Sequence, residues 1–166
     1  MELWDLLDEY GNKTGKTINR GVELKENQYH LEVHLWVINS LEQILIQKRN
    51  RNLKNVPGIW ATTAGCVTHG EESLNGLLRE AKEELGLDIN ISKLSEPIRY
   101  KRKNAFVDIW ILKDDISVGD LVLQEEEVEA VKLVSFDELQ NMLKEGTFFE
   151  YNGEYLNIVF KALGVC

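Results

Sequence analysis

Apolar residues recur along this chain with two periods. Between residues 73 and 87 they fall at Leu74, Leu77, Leu78, Ala81 and Leu85, the i, i+3, i+4, i+7, i+11 spacing of a single stripe on an α-helix. Gly86 at the end of that run can take the left-handed conformation that stops a helix, and Ser73 is placed to cap its start. From Tyr29 to Ile38 the period is two: Leu31, Val33, Leu35 and Val37 alternate with His30, Glu32 and His34 before the run becomes fully apolar. That pattern predicts a strand half-buried at first and central later. Residues 44–48 pair back onto it across a turn at 39–43, and residues 58–64 resume a β-prone run.

The flanks complete the layout. Residues 2–10, a glycine turn at 11–15 and residues 16–18 read as an N-terminal hairpin, an extension occupying residues 1–28. Beyond the helix, short strands are expected at 87–91, 96–100 and 105–112, then a loop at 113–124 with an extended stretch at 120–123. Glu125, Glu126 and Glu127 precede another strand at 128–134. Ser135 with Glu138 three residues on forms a capping box for a helix that Gly146 ends. A last helix at 151–163 carries Tyr155, Ile158, Val159 and Ala162 on one side. Strands before and after one helix, with two helices at the end, predict an α/β domain with a mixed sheet between helices.

Composition narrows the class. With 166 residues, 43% hydrophobic and 28% charged, the chain fits one globular domain spanning residues 1–166 whose core needs no disulfide. No apolar run approaches the roughly 18 residues needed to span a bilayer, and the start is acidic, so a cytoplasmic protein is expected. Cys66 and Cys166 lack the spacing of a zinc or redox pair and read as free thiols. A net charge of -9 excludes a general binder of nucleic acid polymers or anionic membranes, which needs a basic face. A small phosphorylated substrate stays compatible, because metal ions and a few local Lys and Arg residues reverse the field inside an acidic protein.

The candidate chemistry lies on the periodic helix. Glu80, Glu83 and Glu84, at i, i+3 and i+4, share the side opposite the apolar stripe, with Gly76 one turn earlier. Like charges at this spacing repel unless a cation sits among them, and Mg²⁺ or Mn²⁺ is the hard ion that such carboxylates prefer. The pattern extends further: Gly65, five residues, Glu71, seven residues, Arg79-Glu80-Ala81, one residue, Glu83-Glu84, one residue, Gly86-Leu87. In this it resembles the complete signature of the Nudix hydrolases. Ala81 is the one soft position, where the family usually has a larger aliphatic residue.

The resemblance implies a Nudix fold, with the signature as a loop-helix-loop, and a hydrolase cleaving a diphosphate linkage, usually in a nucleoside diphosphate joined to another moiety. It implies Mg²⁺ or Mn²⁺ held by Glu80, Glu83 and Glu84 with the carbonyl of Gly65, and Arg79 paired with Glu71 as support. The proton-removing carboxylate differs among family members, and Glu125, Glu126 and Glu127 fall where a distant loop glutamate could lie. Homodimers are common among relatives.

Within the superfamily, Glu2-Leu3-Trp4-Asp5, Tyr29-His30, Gln47-Lys48-Arg49 through Lys54, and Pro57-Gly58-Ile59-Trp60 look like the isopentenyl-diphosphate isomerase branch and its hydrolase relatives. There the residues matching Arg49 and Lys54 bind the diphosphate. The isomerase also uses a cysteine a few residues after the tryptophan. Counted from Trp60, that place is held by Gly65, with Cys66 one position late, and the isomerase lacks the full signature kept here. Hydrolysis is therefore favoured over isomerisation, and over a catalytically silent nucleotide-binding module. His30, His34 and His69 read as ordinary polar positions rather than metal ligands.

Overall fold

The computed structural model of the protein describes residues 1–165. In chain order its elements are β1 (Leu3–Leu7), β2 (Lys13–Asn19), β3 (His30–Ile38), β4 (Ile44–Arg49), β5 (Trp60–Ala61), β6 (Thr63–Cys66), α1 (Ser73–Leu85), β7 (Ile98–Arg102), β8 (Ala105–Lys113), β9 (Val128–Val134), α2 (Phe136–Glu145) and α3 (Gly153–Leu163). β1 and β2 form a separate antiparallel ribbon. The other strands make one mixed sheet in the order β5-β4-β3-β8-β7, with β6 also on β3 and β9 also on β4.

Strand alternation sorts the core into two layers. On β3, Val33, Leu35 and Val37 face α1, packing with Leu77, Ala81 and Leu85. Trp36 and Ile38 face the other way, against Leu139 and Met142 of α2 and Tyr155, Val159, Phe160 and Leu163 of α3. β3 and β8 run parallel through the middle, and both are almost wholly buried, as a strand covered on two faces must be. Ala81 is fully buried in this packing. No helix among the described residues is long and apolar enough to cross a membrane.

Most expected elements form, with local differences. The hairpin turns at residues 8–12, where the Asp8 carboxylate accepts from the backbone N–H groups of Tyr10 and Asn12, so β2 starts earlier than expected and runs through Gly15. Residues 87–91 form no strand. Asn90 instead caps a 3₁₀ turn at Ile91–Lys93, and the expected extension at 120–123 is replaced by a 3₁₀ turn at Val118–Asp120. Ser135 caps α2 by accepting from the Glu138 N–H, and Gly146 ends it at φ 75°. The final helix starts later than expected, after the Asn152 cap. Ser73 does not cap α1: Glu72 holds that position without a side-chain bond, while the Ser73 hydroxyl accepts from Trp110 Nε1 at 3.1 Å. Cys166 lies outside the described residues.

Candidate active site

The signature helix is clamped at both ends before any chemistry is added. Gly86 ends α1 in the left-handed region at φ 61°, where a Cβ would also lie 2.9 Å from Val122 Cβ. At the front, Arg79 binds Glu71 through two bonds, Nε to Oε1 at 2.7 Å and Nη2 to Oε2 at 3.0 Å, and its Nη2 also reaches the Cys66 carbonyl at 2.9 Å. This planar, bidentate pair ties the loop, the helix and the end of β6 together. Glu71 is held at a pKa of about 2, first by the Arg79 bond, against a smaller push from burial.

The three carboxylates on α1 turn to two places, Arg79 and the sheet. A Cβ built on Gly65 would fall 2.1 Å from Glu80 Cδ and 2.4 Å from its Oε1, so the Glu80 carboxylate occupies the space that any other residue at position 65 would fill. Gly76, one turn earlier, is buried, and a Cβ there would meet Val67 Cγ2 at 2.9 Å. Glu80 and the more exposed Glu83 turn toward Arg79 Nη1, at 2.9 and 3.3 Å. Glu84 turns inward, where its Oε2 accepts from Gln47 Nε2 at 2.8 Å, and the Gln47 Oε1 accepts from Thr63 Oγ1 at 2.7 Å. Burial raises the pKa of Glu80. It raises Glu84 to about 8, helped by the charges of Glu80 and Glu127 and opposed by the Gln47 bond. Arg79 offsets only part of this burial cost at Glu80, Glu84 has no cation within bonding distance among the described residues, and an oxygen-rich set of this kind suits a hard dication. The donor set and the Gly65 cradle therefore fit a divalent metal.

The predicted phosphate grips separate. Arg49 lines a cavity of about 320 Å³ together with Glu32, Arg102, Phe149 and Tyr151. Its guanidinium is held by the carbonyls of Val56 and Asn55, at 3.1 and 2.9 Å. Lys54 is exposed on the adjoining loop and is not among the cavity's lining residues. In the acidic loop, Glu127 is the member whose charge reaches Glu84. Its carbonyl accepts from the Asn50 N–H at 2.9 Å, and Glu125 and Glu126 are exposed.

Sequence reasoning passed over several residues here. Gln47, read as part of a strand, is buried and holds Glu84. Arg102, two residues past the strand expected at 96–100, sits in β7 and pairs with Glu32. The signal for Glu32 was its isolation as the one carboxylate in an otherwise burying strand. Both His30 and His34 prove buried rather than solvent-facing, with His34 Nδ1 2.5 Å from the Tyr155 hydroxyl. His69 bonds the Asp5 carboxylate at 2.6 Å and so joins the signature loop to β1.

Comparison with known proteins places the fold among relatives. The family model described as "NUDIX domain" matches residues 28–152. An uncharacterized Nudix hydrolase of Listeria monocytogenes, lmo0368, is 37% identical over 161 residues, covering 96% of this chain and 94% of that protein. The isopentenyl-diphosphate Delta-isomerase of Paenarthrobacter aurescens is 33% identical over 102 residues, covering 60% of this chain and 55% of the isomerase. Among solved structures, DR0079 from Deinococcus radiodurans superposes with a TM-score of 0.76 at 20% identity, over 96% of this chain and 98% of that one.

Proposed function

The chain belongs to the Nudix hydrolase family, whose members are generally pyrophosphohydrolases that use divalent metal ions, and from that premise we propose that it hydrolyses the diphosphate linkage of a nucleoside diphosphate joined to another moiety, or of a related organic pyrophosphate, with Mg²⁺ or Mn²⁺. The observation that carries this reading is the Glu80 carboxylate seated on the bare Cα of Gly65, with Glu84 turned inward one helical turn on. Glu80, Glu83 and Glu84, with the Gly65 carbonyl, would hold the ion, and Arg79 with Glu71 would fix the helix against the loop. A bound dication supplies charge neutralisation at the phosphoryl oxygens and a more acidic water.

The chain's own residues would do the rest. Gln47 keeps the Glu84 carboxylate aimed along the sheet edge, as a hydrogen-bonded support fixes a metal ligand. Arg49 brings a positive charge to the cavity for the anionic part of the substrate. Phe149 and Tyr151 line the same cavity and offer aromatic faces on which a nucleobase can stack. A cysteine-dependent isomerase is a poorer fit, because Gly65 holds the cysteine's place and burial pushes the Cys66 thiol up to about 12, leaving almost no thiolate.

The test is a metal-dependent hydrolysis screen over nucleoside triphosphates, nucleotide sugars, ADP-ribose, dinucleoside polyphosphates and isoprenoid diphosphates. Turnover that needs Mg²⁺ or Mn²⁺ and falls by orders of magnitude in Glu83→Gln and Glu84→Gln, with the fold retained, is expected. Near-normal rates in both variants would remove the helix from the chemistry. Tight binding without turnover would mark a silent binding module, and appearance of an allylic isomer from isopentenyl diphosphate would restore the isomerase reading.

A further inference from the structure

The side of β3 and β6 turned away from α1 carries a second group of ligand-type side chains. His30, Glu32 and Cys66 each offer one ligand atom, and these atoms lie within 4.8 Å of one another; no other three His, Cys, Asp or Glu residues among the described residues gather so closely. Strand register explains the gathering. His30 and Glu32 alternate onto one face of β3, and Cys66 is the partner of Glu32 across the antiparallel pair, so its side chain shares that face.

The histidine is the telling member. His30 is only 8% exposed, yet its Nδ1 has no hydrogen-bond partner among the described residues, and its Nε2 stands 3.4 Å from Glu32 Oε1, at the outer edge of hydrogen bonding. Its ring is fixed by stacking on Trp4, with centroids 4.2 Å apart and planes 9° from parallel. Neither ring nitrogen therefore makes a firm hydrogen bond to the described residues, a costly state for a buried imidazole, and the Nε2 that faces Glu32 is placed to take a ligand. Burial also lowers the pKa of this imidazole, favouring the neutral ring whose lone pair can ligate.

We propose that His30, Glu32 and Cys66 form a binding site for a zinc-like divalent ion, separate from the carboxylate cluster on α1. An imidazole, a carboxylate and a thiol make a mixed N, O and S donor set, which selects borderline-soft ions such as Zn²⁺, whereas Mg²⁺ keeps to oxygen. Charge balances: the neutral ring, one carboxylate and the thiolate formed when the ion displaces the Cys66 proton together neutralise a dication. In the ion's absence Glu32 is paired with Arg102, whose side chain is 48% exposed and free to swing into solvent, and lies beside His34. The three ligands would pin β6 to β3 immediately beside Gly65, stiffening the strand on which Glu80 rests. The site stands whether or not the chain hydrolyses diphosphates.

The experiment uses the full chain with Cys166→Ser, so that only one thiol can report, stripped with a chelator and titrated with Co²⁺ as a coloured stand-in for Zn²⁺. One equivalent of Co²⁺ is expected to raise a thiolate-to-cobalt charge-transfer band that Zn²⁺ abolishes by displacement. Further substitution by Cys66→Ser, which barely alters size, should remove the band, and His30→Ala should weaken Co²⁺ binding at least tenfold. Glu83→Gln and Glu84→Gln should leave it intact. Circular dichroism checks that each variant is folded. Absence of a band in the starting protein, its survival in Cys66→Ser, or its loss in the helix variants alone would overturn the proposal.

Discussion

Gln47 Nε2 donates to Glu84 Oε2 at 2.8 Å, joining the central sheet to the inner carboxylate of the signature helix. The bond opposes the rise in the Glu84 pKa that burial causes, and Thr63 holds the other end of the same amide. Replacing Gln47 by Leu keeps the apolar packing but removes this donor. The expected result is a stably folded enzyme whose half-saturating Mg²⁺ concentration rises about 10- to 100-fold, the usual effect of losing a group that orients a metal ligand. Rates measured across a metal titration check it; an unchanged metal dependence would leave Gln47 a packing residue.

Gly65→Ala tests the cradle. The added methyl would lie about 2.1 Å from the Glu80 carboxyl carbon, so the carboxylate must leave its seat. Stability should fall by about 1–3 kcal/mol, as overpacking commonly costs, while turnover falls by a much larger factor. Denaturant unfolding and kinetics on the same preparation separate the two effects. Turnover that falls only as far as stability does would show that the position matters for packing alone.

The Arg79–Glu71 pair predicts an acid-dependent loss of stability. Glu71 titrates at about 2 in the folded chain against an ordinary 4.5, so its contribution is fully present above the unfolded value and is lost as pH falls toward 2. Glu71→Gln should therefore be less stable than the parent at neutral pH, by up to about 3 kcal/mol if the whole shift counts. The gap should close as pH falls toward 2. Urea unfolding of both proteins over that range measures it, and a gap that is constant with pH would sink the assignment.

Tyr155→Phe probes the other face of the sheet. The hydroxyl accepts from Trp36 Nε1 at 2.9 Å and lies 2.5 Å from His34 Nδ1, and all three residues are buried. Losing it strands two polar nitrogens, so a destabilisation of about 1–3 kcal/mol is expected. Thermal or denaturant unfolding is the measurement; a neutral effect would mean that water or a shifted ring takes over the role.

The sequence alone determined what depends on local periodicity and spacing. The stripe Leu74, Leu77, Ala81, Leu85 set the helix and its buried side, Gly86 set its end, and the interval from Gly65 to Leu87 carried the resemblance to the Nudix family, because those relations are complete within one loop and one helix. The paired Arg79 and Glu71 were legible for the same reason. Local pattern failed where a distant partner decides the outcome. Ser73 looks like a cap until Trp110 of β8 takes its hydroxyl, and residues 87–91 look like a strand but form no ladder with the sheet. His30, Glu32 and His34 look like the wet side of a strand until Trp4 of β1 stacks on the first, β6 pairs beside the second and Tyr155 of α3 covers the third. Sheet pairing brings residues separated by tens of positions within bonding distance, and that is how Gln47 reaches Glu84 and Cys66 reaches Glu32. Residues 65–87 therefore carried the family signature, while the fold chose the supports of each carboxylate and created the His30–Glu32–Cys66 cluster that no spacing along the chain announced.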